Sequence, residues 1–490
     1  MSTPRIFFSD QFGIPRAALD KYGAFDINLL ADVRLFVDPF LLFNSKKAEY
    51  QALHEDVLRY LRFLKTIAGD DLPSGTVKDL FRFQEVKQNW FGYCELGNEG
   101  RGLGLDFAKA MREALGRALS NFGEETGTKS SHLEKVALIR PRVGKDNISD
   151  FTTNLIKHYL VDYTERFAKE HIDPAFCATV GVRRVRFNYD TQTWVDEPRY
   201  LPVFQGDYVL LTPVDMLIHD DVWINHGDMV KRYPQIVEGV DDDVQRARVD
   251  QYFRRQLAGT KDPTPKQIGN ARERTLAMFP SLLDIYIRLR ENDGDGAAAV
   301  SDEEIEYLRA VFVSSLSKVL EEFWSLPDMA ARPKAPSLEE VRYRVNVFKR
   351  WVEDQEGYRT LNDVRGKAAA EKDLQRVVFL ALQASRFDVN AEVNNGRGPV
   401  DFKVSRGSAD SALLEIKLAS NSHLRRNLQN QVDVYRKANN TRHSVTMIIY
   451  YTREEKARVD NIVAELGLTD EPDVVLINAR NDDKPSGSKA

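Results

Sequence analysis

Residues 412–420, ALLEIKLAS, are a run of apolar side chains broken only by Glu415 and Lys417. A run of this length reads as a strand buried on both faces. Side chains two apart on a strand leave the same face, so the acid and the base sit together in a core. Burying such a pair is costly unless it serves something. The strand needs a sheet around it, and the flanking sequence supplies one. FDVNAEV (387–393) alternates apolar and polar residues, NNGRGP (394–399) is dense in turn formers, and VDFKV (400–404) is a second strand. SRGSADS (405–411) is the hairpin loop. NSHLRRNLQNQVDVYRKA (421–438) reads as a basic helix, SVTMIIYYT (444–452) as a buried strand, TREEKARVDNIVAEL (452–466) as a helix and DVVLINA (473–479) as a last strand. Ahead of them, KAAAEKDLQRVVFLALQAS (367–385) is a helix with Leu374, Val378, Ala381 and Leu382 on its apolar stripe. Glu371 lies three positions before Leu374 and shares that face. It either reads as a functional acid or simply benefits from the helix N-terminus.

Asp401 is 14 positions before Glu415, on the neighbouring strand of the hairpin. The two carboxylates can sit side by side and share a hard divalent cation, Mg²⁺ or Mn²⁺. Lys417 beside them can orient or deprotonate a water and offset charge on a phosphate, which is what phosphodiester hydrolysis requires. The pattern Glu371 … Gly398-Pro399-Val400-Asp401 … Glu415-Ile416-Lys417 resembles the PD-(D/E)XK nuclease superfamily, which includes many restriction endonucleases. The resemblance implies a restriction-endonuclease-like αβββαβ core. It implies Asp401 and Glu415 as metal ligands, Lys417 as the catalytic lysine and Glu371 as the further acid and metal ligand that some members add. Gln431 and Tyr435, in QVDVY, look like the glutamine-bearing helix of a subset of the family; that glutamine can touch the active site or a backbone phosphate. Two departures stand out: the proline is two residues before Asp401, not one, and Glu392 competes with Glu371 as the third acid.

The chain's net charge of −5 gives no global sign of a polyanionic partner, but residues 386–458 hold 13 Lys/Arg against 8 Asp/Glu. Arg397 in the turn, and Arg425, Arg426, Arg436 and Lys437 on the following helix, are candidate phosphate contacts. Their alternative is a solvated helix face.

The length of 490 residues predicts roughly two to four domains. The expected architecture is a multi-domain α/β protein. It has a mixed α/β region over 1–235, a helical region over 236–360, the nuclease-like domain over 366–480 and a disordered tail over 481–490. AEYQALHEDVLRYLRFLKTIA (48–68) and LDFAKAMREALGRAL (105–119) read as amphipathic helices, and YVLLTPVDMLI (208–218) as a strand interrupted at Pro213. Ser301 with Glu304, and Ser337 with Glu340, match the capping-box pattern and predict helix starts. NDGDGAAA (292–299) and LPDMAARPKAP (326–336) read as connections. Two cysteines with no CxxC pair argue against a zinc cluster, and no leader or spanning-length apolar run is present. A cytoplasmic protein is expected.

Weaker signals were weighed. GNEGRGLGLD (97–106) reads as a flexible turn or a phosphate loop, and VGKDNISD (143–150) as a capped helix start. GVRRVRF (181–187) reads as a strand with a possible nucleotide contact. HDDVWINHGD (219–228) reads as a metal cluster or, with Trp223, a core anchor. The functional expectation is a Mg²⁺-dependent endonuclease acting on DNA. Its long N-terminal region would answer a trigger ligand or partner protein, as in the bacterial restriction and anti-phage defence effectors it resembles. A homo-oligomer is expected, because a duplex cut needs two active sites. An inactive nucleic-acid-binding scaffold and an RNA-directed nuclease are the alternatives.

Overall fold

The computed structural model describes residues 7–483 except 30–32, 34, 68–72, 82, 84, 92–121, 123–124, 126, 140–143, 220, 310–335, 356, 364–373, 376, 380–381, 383–386, 395–398, 407–409 and 430–442. The chain is mixed α/β and folds as two compact units, residues 6–94 with 98–306 and residues 307–490. The stretch read as one helical region over 236–360 is thereby divided between them. The helix expected over 105–119 lies outside the described residues.

In the N-terminal unit, α1 (Ala48–Ile67) buries Leu53, Val57, Tyr60, Leu61 and Leu64, the stripe that its 3–4 spacing predicts. It packs with α2 (Lys145–Leu155), which begins after Gly144 as expected of a capped start. α3 (Lys157–His171) lies against a long hairpin of β2 (Cys177–Asn188) and β3 (Thr193–Phe204), with β4 (Asp207–Tyr208) on the far edge. β1 (Phe36–Val37) pairs with β5 (Leu217–Ile218), and the bend before β5 falls at Pro213. Rings of Tyr60, Phe83, Phe151, Phe187 and Trp194 meet between α1, α2 and the hairpin.

The rest of this unit is helical: α4 (Asp243–Gln256), α5 (Pro265–Met278), α6 (Ser281–Asn292) and α7 (Gly294–Leu308). Glu291 of α6 accepts hydrogen bonds from the amides of Lys129 and Ser130 and meets His132, which ties the helices to the N-terminal half. α7 corrects the sequence reading at two points. It begins at Gly294, inside the expected connection, and Ser301 sits mid-helix, donating to the Leu217 carbonyl at 2.6 Å instead of capping. Two glycines disguise the helix: Asn44 donates to the Gly294 carbonyl at 2.8 Å, so the backbone there is approached too closely for a side chain.

In the C-terminal unit, α8 (Ser337–Asp354) starts where expected, but Ser337 is held by Asp410 rather than by a capping box, and Glu340 pairs with Arg344. The sheet runs β10-β9-β8-β7-β6. β6 (Asp388–Asn394), β7 (Pro399–Arg406) and β8 (Asp410–Leu418) form an antiparallel meander; β9 (Ser444–Tyr450) and β10 (Val474–Asn478) add in parallel. Each strand falls within a few residues of its expected place. α9 (Arg453–Glu465), capped by Thr452, packs with Leu424 and Leu428 on the Ile448 and Tyr450 side of the sheet. No helix among the described residues is long and apolar enough to cross a membrane.

Candidate active site on the C-terminal sheet

The pairing of β7 with β8 ends at Phe402 opposite Leu414, although β7 itself starts at Pro399 and stays paired with β6. Beyond that point β8 continues against β9 alone, through Leu418. One more step of the β7–β8 register would place Asp401 beside Glu415. At this parting the Asp401 carboxylate takes over the ladder, accepting the Ile416 amide at 2.6 Å. A side chain thus satisfies a backbone donor that the sheet leaves open.

Glu415 and Lys417 face the same side as Thr446 and Ile448, their neighbours on β9. The Lys417 ammonium lies 2.8 Å from Glu415 Oε2 and 3.7 Å from Asp401 Oδ2, so one cation bridges both acids. The side chains are 12% (Asp401), 4% (Glu415) and 12% (Lys417) exposed, enough to open an edge of the site while shielding its charges. Burial, and next the Asp401 carboxylate, push Glu415 up to about 8. Burial raises Asp401 too, against the pull of Lys417 and the Ile416 amide. Two acids close together in a low dielectric hold a proton that either alone in water would lose.

Glu415 Oε1 is buried and has no hydrogen-bond partner among the described residues. A carboxylate oxygen left this way is expensive unless something binds it. Two hard oxygen donors at a protected strand edge suit Mg²⁺ or Mn²⁺, which keep several waters and need only one or two carboxylates. Among the described residues no group of three His, Cys, Asp or Glu forms a metal cluster, so any third donor comes from elsewhere.

The structure brings Asp401, Glu415 and Lys417 together. It also adds a residue that the sequence reading missed: Gln375 donates from its side-chain amide to Asp401 Oδ1. Gln375 lies in a stretch where Leu374, Val377, Val378 and Leu382 are buried and Phe379 stacks on Phe402 at 6.0 Å. Glu371, Arg397, Gln431, Tyr435, Arg436 and Lys437 lie outside the described residues. Glu392 is on β6, with its side chain outside them. Arg425 and Arg426 are exposed on the helix after β8, and Arg425 pairs with Glu465 at 2.8 Å.

Residues 337–453 match a family described as a domain of unknown function (DUF8371). Residues 13–225 match a second, also described as a domain of unknown function (DUF8370). No curated protein and no solved structure matches the chain. Gln375, Asp401, Glu415 and Lys417 all fall within the DUF8371 span, which runs from α8 to the start of α9.

Several side chains of the remaining signals have structural partners, and Asp220 lies outside the described residues. Asp228 is held by Arg232, Arg290 and Tyr286, and Trp223 is a core residue under the Arg290 guanidinium, whose centre is 3.4 Å from the ring centroid. His219 and Asp221 do not assemble with them as a metal group among the described residues. Arg184 lies over Trp194 and donates to the Asp79 carbonyl. The glycine-rich 97–106 segment lies outside the described residues.

Proposed function

We propose that the C-terminal unit is a metal-dependent nuclease of the PD-(D/E)XK type that hydrolyses phosphodiester bonds of DNA. The observation that carries this reading is the buried Asp401–Glu415–Lys417 set at the parting of β7 and β8, with an unsatisfied Glu415 oxygen. Asp401 and Glu415 would hold Mg²⁺ or Mn²⁺, with Glu371 or Glu392 as a further acid. The ion would supply charge for the reacting phosphate and lower the pKa of a nearby water. Lys417 orients the water and offsets developing negative charge, held in place by its two carboxylate contacts. Gln375 fixes the Asp401 rotamer through Oδ1 while the Ile416 amide fixes it through Oδ2. Gln431 would touch the site or a backbone phosphate; Arg397, Arg425, Arg426, Arg436 and Lys437 would contact the backbone.

The long N-terminal region is then a regulatory or recognition part, and the whole is a restriction or anti-phage defence effector acting as an oligomer. This wider role rests on family habit. Titration calorimetry with Mg²⁺ or Mn²⁺ tests the site: wild type binds the ion and Asp401→Ala does not. Absence of binding by the wild type would sink the metal assignment.

A further inference from the structure

Residues 251–268 span the turn between α4 and α5 and carry four cations, Arg254, Arg255, Lys261 and Lys266, against one carboxylate, Asp262. All four are exposed, and among the described residues none of their side chains has a hydrogen-bond or ion-pair partner. Other exposed cations of this unit are either taken up, as Lys47 is by Asp215, Lys169 by Glu165 and Arg186 by Glu197, or, like Lys21, Lys46, Lys78 and Lys231, are scattered along the chain and not gathered on one hairpin. Arg248, seven positions before Arg255 and two helical turns away, extends the cationic line along the solvent side of α4.

The apolar face of this hairpin is already used. Val249 is buried and Phe253 packs on Tyr233, within the core that also holds Leu276 and Leu282. Exposed apolar side chains, Val244 and Met278, sit at the opposite end, at the start of α4 and the end of α5. The tip therefore offers no greasy surface to a lipid bilayer. The N-terminus of α5 carries its own capping box, which takes up the Thr264 and Gln267 amides, and Pro265 has no amide hydrogen to offer a small anion. What remains is a run of exposed positive charge on one helical hairpin, which fits a regularly spaced polyanion. Its Arg254 and Arg255 also favour the α4 C-terminus, but that role is met by one cation and does not call for Lys261 and Lys266.

We infer that the α4–α5 tip is a nucleic-acid backbone contact, through which the N-terminal unit holds a DNA duplex independently of base sequence. The inference rests on the nuclease reading for its choice of DNA, and it locates a contact outside both family-matched spans. The test is fluorescence anisotropy of a labelled DNA duplex with the full chain, in EDTA so that no cleavage occurs. It compares wild type with the combined Arg254→Gln, Arg255→Gln, Lys261→Gln and Lys266→Gln variant across a salt series. Each lost phosphate contact should flatten the log–log salt slope by about 0.9, and affinity at ~0.1 M salt should fall at least tenfold. These surface changes leave the circular-dichroism spectrum unchanged. Equal affinity and slope for the two proteins, or a wild type that binds no duplex, would overturn the inference. Chelation keeps this result separate from failure of the cleavage site: loss of activity with intact, tip-dependent binding would count against the nuclease reading alone.

Discussion

Asp401 is the residue on which the site turns, because both its oxygens are spoken for before any substrate arrives: Gln375 on one side, the Ile416 amide on the other. Gln375→Ala should leave the fold intact and weaken metal binding by roughly tenfold, the usual scale for losing a partner that orients a ligand. Calorimetry beside the wild type would show it, and an unchanged affinity would mean that the Ile416 amide alone holds the carboxylate. The acid–base triplet was legible in the sequence because charges two apart inside ALLEIKLAS have no other economical explanation. Gln375 was not, because a neutral side chain on a helix carries no charge anomaly to notice.

The N-terminal unit buries acids that the mechanism does not use. Burial, the main cause each time, pushes Asp26 and Asp38 up to about 6 and Glu85 to about 7. Glu134 is raised as well, with both carboxyl oxygens buried and unpartnered. For an acid raised in the folded state, the stabilisation is fully present below the unfolded pKa near 4 and is lost as pH rises to the folded pKa. Burial lowers His54 to about 3, so its contribution is present above the unfolded pKa near 6.5 and lost as pH falls below it. The melting temperature of this unit should therefore rise as pH drops from 8, through Glu85 and Glu134 first and Asp26 and Asp38 below about 6, with His54 alone reducing the gain below about 6.5. Glu134→Gln should reduce the slope above 6.5. A melting temperature that climbs between 6.5 and 8 would contradict the reading.

At the level of elements, the strands of the C-terminal sheet were legible because each is a short apolar run bounded by turn formers. The β2–β3 hairpin was harder to see. Its exposed positions, among them Ala178, Gly181, Arg183 and Arg186, are not alternately polar and apolar in the usual way, and a register shift between Val182 and Arg186 breaks the period. α7 was hidden by glycines that serve packing rather than a turn. The same close approach occurs at Gly357, where a Cβ would stand 2.6 Å from the ring of Trp351, a fully buried residue of α8. Gly357→Ala should destabilise the C-terminal unit by about 1–3 kcal/mol through overpacking. Urea denaturation followed by Trp fluorescence measures this, and a shift under ~0.5 kcal/mol would mean that the indole has room to yield.

At the scale of the whole molecule, the net charge of −5 conceals two positive features, one in the C-terminal quarter and one at the α4–α5 tip. Averages over 490 residues erase both, and only placement on elements restores them. The N-terminal unit spends its core on helices and a long hairpin, while the C-terminal sheet brings Asp401, Glu415 and Lys417 together. The account stands or falls on cleavage. Supercoiled plasmid should be nicked or linearised by the wild type with Mg²⁺, and the activity should vanish with EDTA, Glu415→Ala and Lys417→Ala. Cleavage that persists in both variants, or a wild type that binds Mg²⁺ and DNA yet leaves the plasmid intact, would contradict it.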